Sequence, residues 1–260
     1  MIGTDRYSYF SKLRRVDPVS KLVLSAVGAA VCIGCNSIAV GLCTLALMWA
    51  LTAWLGGIAP RVFGRMLRVP LSFLILGCIP VFLRSYPAGT AVVVGVPLGR
   101  SVWGLTGSSI REGVLLCCKA FGVIGAVYFT TLTTPMTDLT VALRRLHVPQ
   151  LFVELMELMY RFIFVLMDTM RNIRTAQESR LGYMTFRQSY QSMGTLISMV
   201  FLRAYRKSDR VYAALESRGY QGVLTTLSDT YEDGRRFYLL AAAVAGLQLA
   251  VYILERGMCC

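Results

Sequence analysis

The chain has 260 residues, 55% of them hydrophobic and only 16% charged, with a mean hydropathy of +0.57. Soluble domains carry about a quarter charged residues, so a soluble two-domain enzyme and a disordered chain are both excluded. The balance of 27 Lys+Arg against 14 Asp+Glu gives a net charge of +13, and no basic soluble module stands apart from the apolar blocks. That charge therefore reads as positive-inside loops and an acidic partner surface rather than nucleic-acid binding. The apolar residues come in unbroken blocks, not short alternating segments, which points to an all-α polytopic membrane protein and against a barrel.

From Leu22 to Pro60 there is a run of 39 residues without a charge. A span needs about 20, so this run holds two, with Asn36-Ser37 as the hairpin tip. The run is too long for the core of a cleaved signal. Gly56-Gly57 ends the second span, and Arg61, Arg65 and Arg68 read as a short basic loop. A third apolar run covers 69–83 and contains Pro80, a kink or an end. From Arg84 to Ser109 prolines and glycines recur around Val92-Val93-Val94, which predicts a loop with a short hairpin. A fourth span runs from Arg111 to Thr133. It carries Lys119, which either snorkels or faces a protein neighbour. A fifth covers Phe237 to Leu254. These readings divide the chain into 1–134 with four spans, a distinct stretch 135–236, and 237–260 with the last span. Loop charge places the N-terminus and 135–236 in the cytoplasm and the C-terminus outside.

Six cysteines, Cys32, Cys35, Cys43, Cys78, Cys117 and Cys118, lie in apolar runs and behave as small hydrophobes rather than as a disulfide framework. Cys259 and Cys260 are free or lipidated. His147 is the single histidine, so no multi-histidine metal site exists, and no cofactor is expected in this chain. None of the four lysines follows a glycine, so a P-loop is missing and any ATP must be bound by another chain.

The stretch 135–236 holds two long amphipathic helices. Over 150–180, polar residues fall at Glu154, Glu157, Arg161, Asp168, Arg171, Thr175 and Glu178, a narrow heptad-like stripe. So wide an apolar remainder needs cover, and Phe152, Leu155, Met159, Phe162 and Leu166 are expected to pack on other helices or on a membrane partner. A second helix over 189–217 sets Met193, Leu196, Ile197, Val200, Ala204 and Val211 against a basic face of Arg203, Arg206, Lys207 and Arg210, read as a solvated or headgroup-facing surface. The two helices end alike. Glu178-Ser179-Arg180-Leu181-Gly182-Tyr183 and Glu216-Ser217-Arg218-Gly219-Tyr220 repeat the same residue types, with one inserted leucine. Glycine suits a left-handed C-cap, and arginine complements a helix C-terminus. Two such ends suggest a duplicated docking element that places one arginine in each of two acidic grooves.

Asp17-Pro18-Val19-Ser20-Lys21-Leu22, the segment Pro135-Met136-Thr137-Asp138-Leu139, Ala142-Leu143, Leu146, Val148-Pro149 and Tyr160-Arg161 occur in one order with the two arginine motifs. In this the chain resembles the CbiQ/EcfT family, the transmembrane component of energy-coupling factor (ECF) transporters, most strongly from Thr134 to Gly222. Ser179-Arg180-Leu181 and Ser217-Arg218-Gly219 stand where the family has two Ala-Arg-Gly-like motifs. The resemblance implies a non-catalytic subunit of a prokaryotic plasma or inner membrane. Two cytosolic ATPase subunits would dock at Arg180 and Arg218, and a separate membrane subunit would bind the substrate, cobalt or nickel in the closest branch and a vitamin in others. A free-standing ion-coupled transporter is disfavoured, because Glu112 and Glu255 lie at span edges and only Lys119 is charged within a span. A membrane enzyme is disfavoured by the lack of paired acids in the apolar blocks.

Overall fold

The computed structural model describes residues 3–82, 84–87, 94–98, 101–220 and 231–258. The two terminal cysteines, Cys259 and Cys260, lie outside the described residues, as does Gly222 at the edge of the central motif. The chain forms two compact units, Ile2–Pro135 with Thr230–Cys260, and Met136–Asp229.

The first unit is a helical bundle. A short helix α1 (Gly3–Phe10) and a 3₁₀ turn (Lys12–Arg15) precede α2 (Pro18–Gly34), α3 (Ile38–Trp54), α4 (Pro60–Phe82), α5 (Gly107–Thr133) and the last helix, α9 (Arg235–Met258). These five long helices correspond to the five predicted spans. Three of them, Pro60–Val81, Ser109–Thr133 and Arg235–Gly257, are long and apolar enough to cross a membrane. Pro18–Gly34 and Ile38–Trp54 have 17 residues each, the short end of the spanning range, about 25 Å at 1.5 Å per residue. Pro18 opens α2 where its missing N–H costs nothing, and the Ser37 hydroxyl caps α3 by accepting from the Val40 N–H.

The core lies between α2, α3, α5 and α9, where Leu24, Met48, Ala126, Phe129, Ala241 and Val244 meet. Helices α3 and α5 approach closely because glycines face each other. A Cβ on Gly41 would sit 2.6 Å from the Cys118 carbonyl oxygen, and one on Gly122 would sit 2.9 Å from that of Gly41. Small residues at such a seam let backbones touch where lipid offers no hydrophobic drive. Polar groups inside are bonded across helices: the fully buried Gln248 donates to Thr44 Oγ1 at 2.8 Å, and Thr130 Oγ1 donates to Ser25 Oγ at 2.7 Å.

The bundle ends confirm that successive helices alternate in direction. At one end Asn36, Ser37, Arg111, Tyr252, Glu255 and Arg256 line one pocket of about 200 Å³, which gathers the α2–α3 turn, the start of α5 and the end of α9. Lys119 donates there to the Ile33 carbonyl at 2.9 Å and to the Asn36 side chain; of its two expected settings, it takes the protein neighbour. At the other end Lys12 N–H donates to the Gly56 carbonyl and Glu232 N–H to that of Arg15.

One sequence expectation needs correction. Arg61, Arg65 and Arg68 are not in a loop; they occupy the first turns of α4, which starts at Pro60 and runs through Pro70 and Pro80. Their spacing of four and three is helical, but the charges obscured it. Between α4 and α5, where the sequence predicts a loop with a short hairpin, the described residues form a small three-stranded antiparallel sheet, and the chain is otherwise helical as expected. The sheet is formed by β1 (Arg84–Pro87), β2 (Val94–Leu98) and β3 (Ser101–Leu105) in the order β1-β3-β2. Pro87 and Pro97 fall on the two edge strands, where a missing N–H breaks no ladder, and the central β3 has none.

Candidate functional site

The second unit contains α6 (Met136–Arg145), α7 (Gln150–Ser179) and α8 (Phe186–Glu216). Helices α7 and α8 start and stop within a few residues of the sequence expectation. They run antiparallel. Gln177 Nε2 donates to the Ser192 carbonyl at 3.0 Å at one end, and the Tyr220 hydroxyl donates to Glu154 Oε2 at 3.3 Å at the other. Burial, together with the Glu154 carboxylate, pushes the Tyr220 phenol above its ordinary pKa.

Both arginine-bearing ends close with the same backbone motif. Gly182 N–H donates to the Gln177 carbonyl at 2.9 Å and Leu181 N–H to that of Glu178 at 3.0 Å. Tyr220 N–H donates to the Leu215 carbonyl at 3.0 Å and Gly219 N–H to that of Glu216 at 3.0 Å. Each pair is the double closure of a Schellman cap, and Arg180 and Arg218 hold the identical position, one residue before the left-handed residue. The left-handed residues are Leu181, with φ of 59°, and Gly219, with φ of 74°.

The apparent inserted leucine is therefore not an insertion. Leu181 stands where Gly219 stands, and Gly182 matches Tyr220. Glycine follows because a Cβ at 182 would lie 2.7 Å from Ser192 Oγ and 3.0 Å from the Gln177 carbonyl oxygen. The motif is left-handed at both ends, as expected, but at the first end a leucine and not a glycine adopts that conformation.

The ends are braced differently. At the first, Ser192 Oγ donates to the Gly182 carbonyl at 2.8 Å, the Tyr183 hydroxyl to Gln177 Oε1 at 2.8 Å, and Arg174 pairs with Glu178 at 2.9 Å. At the second, Tyr220 anchors to Glu154, which is buried at 2% exposure. Ser179 and Ser217 turn their hydroxyls onto their own helices, toward the carbonyls of Thr175 and Ala214. Arg180, Leu181, Arg218 and Gly219 are exposed, and among the described residues neither arginine makes a salt bridge. Helix α6 ends in a third cap of this kind with His147 left-handed at φ 61°, but Leu146 takes the place of the arginine. His147 thus serves backbone geometry.

The apolar face of α7 behaves unlike a soluble amphipathic helix. Its polar stripe is the inward one near the start: Glu154 accepts from Gln150 at 3.0 Å, and Glu157 pairs with Arg144 of α6 at 3.3 Å. The predicted packing residues Phe152, Leu155 and Met159 are 62%, 46% and 57% exposed, while Phe162 and Leu166 are half-buried. Within the α6–α8 unit, α6 and α8 do not cover the first three. On α8, Leu196 is buried, but Met193 and Ile197, assigned to the same apolar face, are exposed.

Lys21 is a residue that the charge pattern did not single out. It is fully buried, and its ammonium donates to the Leu13 carbonyl at 2.9 Å and to that of Thr133 at 3.4 Å. It ties the N-terminal turn to the end of α5, and its place in the Asp-Pro-x-x-Lys motif was the available signal. Among the described residues no group of His, Cys, Asp or Glu is arranged to hold a metal ion.

Comparison with known proteins agrees with this architecture. The sequence model of the CbiQ family, described as "Cobalt transport protein", matches residues 10–227. The chain is 26% identical over 85% of its length to the cobalt transport protein CbiQ of Salmonella typhimurium, covering 98% of that protein. It is 29% identical over 76% of its length to a Methanocorpusculum labreanum protein named as a fused cobalt transport protein CbiMQ, of which it spans 33%. The energy-coupling factor transporter transmembrane protein EcfT of Listeria innocua is 27% identical over 82% of each chain.

Proposed function

The chain belongs to the CbiQ family of cobalt transport proteins, and we propose that it is the transmembrane coupling subunit of an ECF-type importer for cobalt or nickel. In this reading it is not an enzyme. Two cytosolic ATPases dock on the ends of α7 and α8, one through Arg180 and one through Arg218, with the N-terminus and the α6–α8 unit in the cytoplasm. Closing of the ATPases on ATP moves these helices, and their exposed apolar face passes the motion to a membrane subunit that binds the metal. The relative named as a fusion, three times longer than its match here, supports the second partner.

The observation that carries the reading is the repeated cap. Two helix ends of one geometry each project an exposed arginine without an ion-pair partner in the described chain. A guanidinium so placed is preorganised for bidentate carboxylate recognition. The test is metal uptake together with ATPase co-purification for Arg180→Ala, Arg218→Ala and the double variant. Breaking one side of a buried interfacial charge pair costs about 2–5 kcal/mol. A single loss leaves a second tether, so the double variant should release the ATPases or uncouple hydrolysis from uptake, and lysine should rescue only in part. Alanine at Arg203, on the solvated face, is the control. Normal uptake and normal co-purification in the double variant would reduce both arginines to helix caps.

A further inference from the structure

Between the two tethered ends, α7 and α8 separate and leave a groove of about 490 Å³. Its walls are apolar: Phe162 and Val165 on α7, Val211 and Leu215 on α8. Three cations, Arg161, Lys207 and Arg218, border the same space. Glu157 is the carboxylate at its edge, and it is engaged by Arg144 of α6. Among the described residues none of the three cations makes a salt bridge. An apolar trough rimmed by unneutralised positive charge is complementary to one kind of molecule, an anionic amphiphile. A helix of about 10 Å diameter fills roughly 120 Å³ per residue, so the groove would admit about one turn of an added helix. A flexible acyl chain can follow the whole trough. The exposed apolar surface of α7 and α8, including Phe152, Met159 and Phe201, suits the membrane interface better than bulk water.

We infer that the α7–α8 groove binds one anionic phospholipid, its phosphate held by Arg161 and Lys207 and its acyl chain lying along Phe162, Val165, Val211 and Leu215. The site needs neither the ATPases nor the metal-binding subunit, so it stands or falls apart from the proposed transport role. It would set the separation of the two coupling helices by filling the space between them.

The experiment titrates the delipidated full chain in neutral detergent with phosphatidylglycerol, phosphatidylcholine, or glycerol phosphate, and reads the bound adduct by native mass spectrometry. Each cation near an anionic headgroup strengthens attraction about fivefold. The Arg161→Gln/Lys207→Gln pair should therefore weaken phosphatidylglycerol binding about 25-fold, whereas Arg203→Gln/Arg206→Gln, with the same charge loss outside the groove, should change it less than about threefold. Phosphatidylcholine should bind at least about tenfold more weakly, and glycerol phosphate should not compete. Ala214→Trp, which fills the trough and leaves the cations in place, should also weaken binding and guards against a double variant that misfolds. Equal loss in the two glutamine pairs, equal binding of phosphatidylcholine, competition by the tailless phosphate, or retained binding in Ala214→Trp would overturn the inference. Lipid affinity unchanged while a protein partner is lost would overturn it in favour of an acidic protein segment.

Discussion

Gly182→Ala probes the first proposed docking end through a contact that the local sequence does not reveal. The added methyl would sit 2.7 Å from Ser192 Oγ and 3.0 Å from the Gln177 carbonyl oxygen. Ser192 can rotate away only by giving up its 2.8 Å bond to the Gly182 carbonyl. The Gln177 carbonyl can retreat only by opening the 2.9 Å bond from the Gly182 N–H, which closes the cap. One hydrogen bond at about 1 kcal/mol, added to overpacking at about 1–3 kcal/mol, gives a cost of about 2–4 kcal/mol. The neighbouring change has the opposite sign. Leu181 holds a left-handed conformation that costs a non-glycine residue about 1–2 kcal/mol, and at 64% exposure its side chain contributes little burial. Leu181→Gly relieves that strain but adds about 0.5–1 kcal/mol of unfolded-state entropy, so it should be neutral or stabilising by up to about 1 kcal/mol. Hydrogen exchange over residues 174–185 separates the two. Local opening should rise about 30- to 700-fold in Gly182→Ala and should hold or fall in Leu181→Gly. If an ATPase docks at the Arg180 end as proposed, its co-purification should follow the same order. Exchange within about threefold of the parent in Gly182→Ala would refute the steric argument, and faster exchange in Leu181→Gly would refute the assignment of strain to residue 181.

Lys21→Met removes an ammonium bonded to two buried carbonyls. It should destabilise the bundle by about 3–5 kcal/mol, read as a lower melting temperature in detergent; an unchanged melting temperature would show that Lys21 is not an anchor. Leu155→Asp acts on a side chain that α6 and α8 leave exposed, so the purified subunit should keep its melting temperature within a few degrees while co-purification of the proposed membrane partner falls. A large loss of melting temperature would mean that Leu155 is core. Topology is checked with single cysteines in a cysteine-free background: an impermeant reagent added outside should label Asn36→Cys and Gly257→Cys and spare Ser189→Cys, and the reverse pattern would invert the proposed orientation.

The number of long helices, their approximate limits and the membrane setting were legible in the sequence. They rest on signals written over neighbouring residues: apolar length against bilayer thickness, the 3.6-residue period, and cap chemistry at Arg180 and Arg218. The repeat at the ends of α7 and α8 was legible for the same reason. Other features depended on through-space neighbours. Residue 182 must be a glycine because Ser192, ten residues on, occupies the space a Cβ there would need, and the left-handed position of the cap falls on Leu181. The start of α7 turns its acids inward because Arg144 and Tyr220 arrive there from other elements. Arg61, Arg65 and Arg68 continue a helix because Phe63, between them, packs edge-on against Tyr128 of α5 with ring centroids 6.1 Å apart. Lys21 is buried because two carbonyls, one of them 112 residues away, converge on its ammonium. A local pattern states what a segment prefers; which face it buries, and which strained residue it tolerates, is decided by the atoms that the rest of the chain brings within a few ångströms.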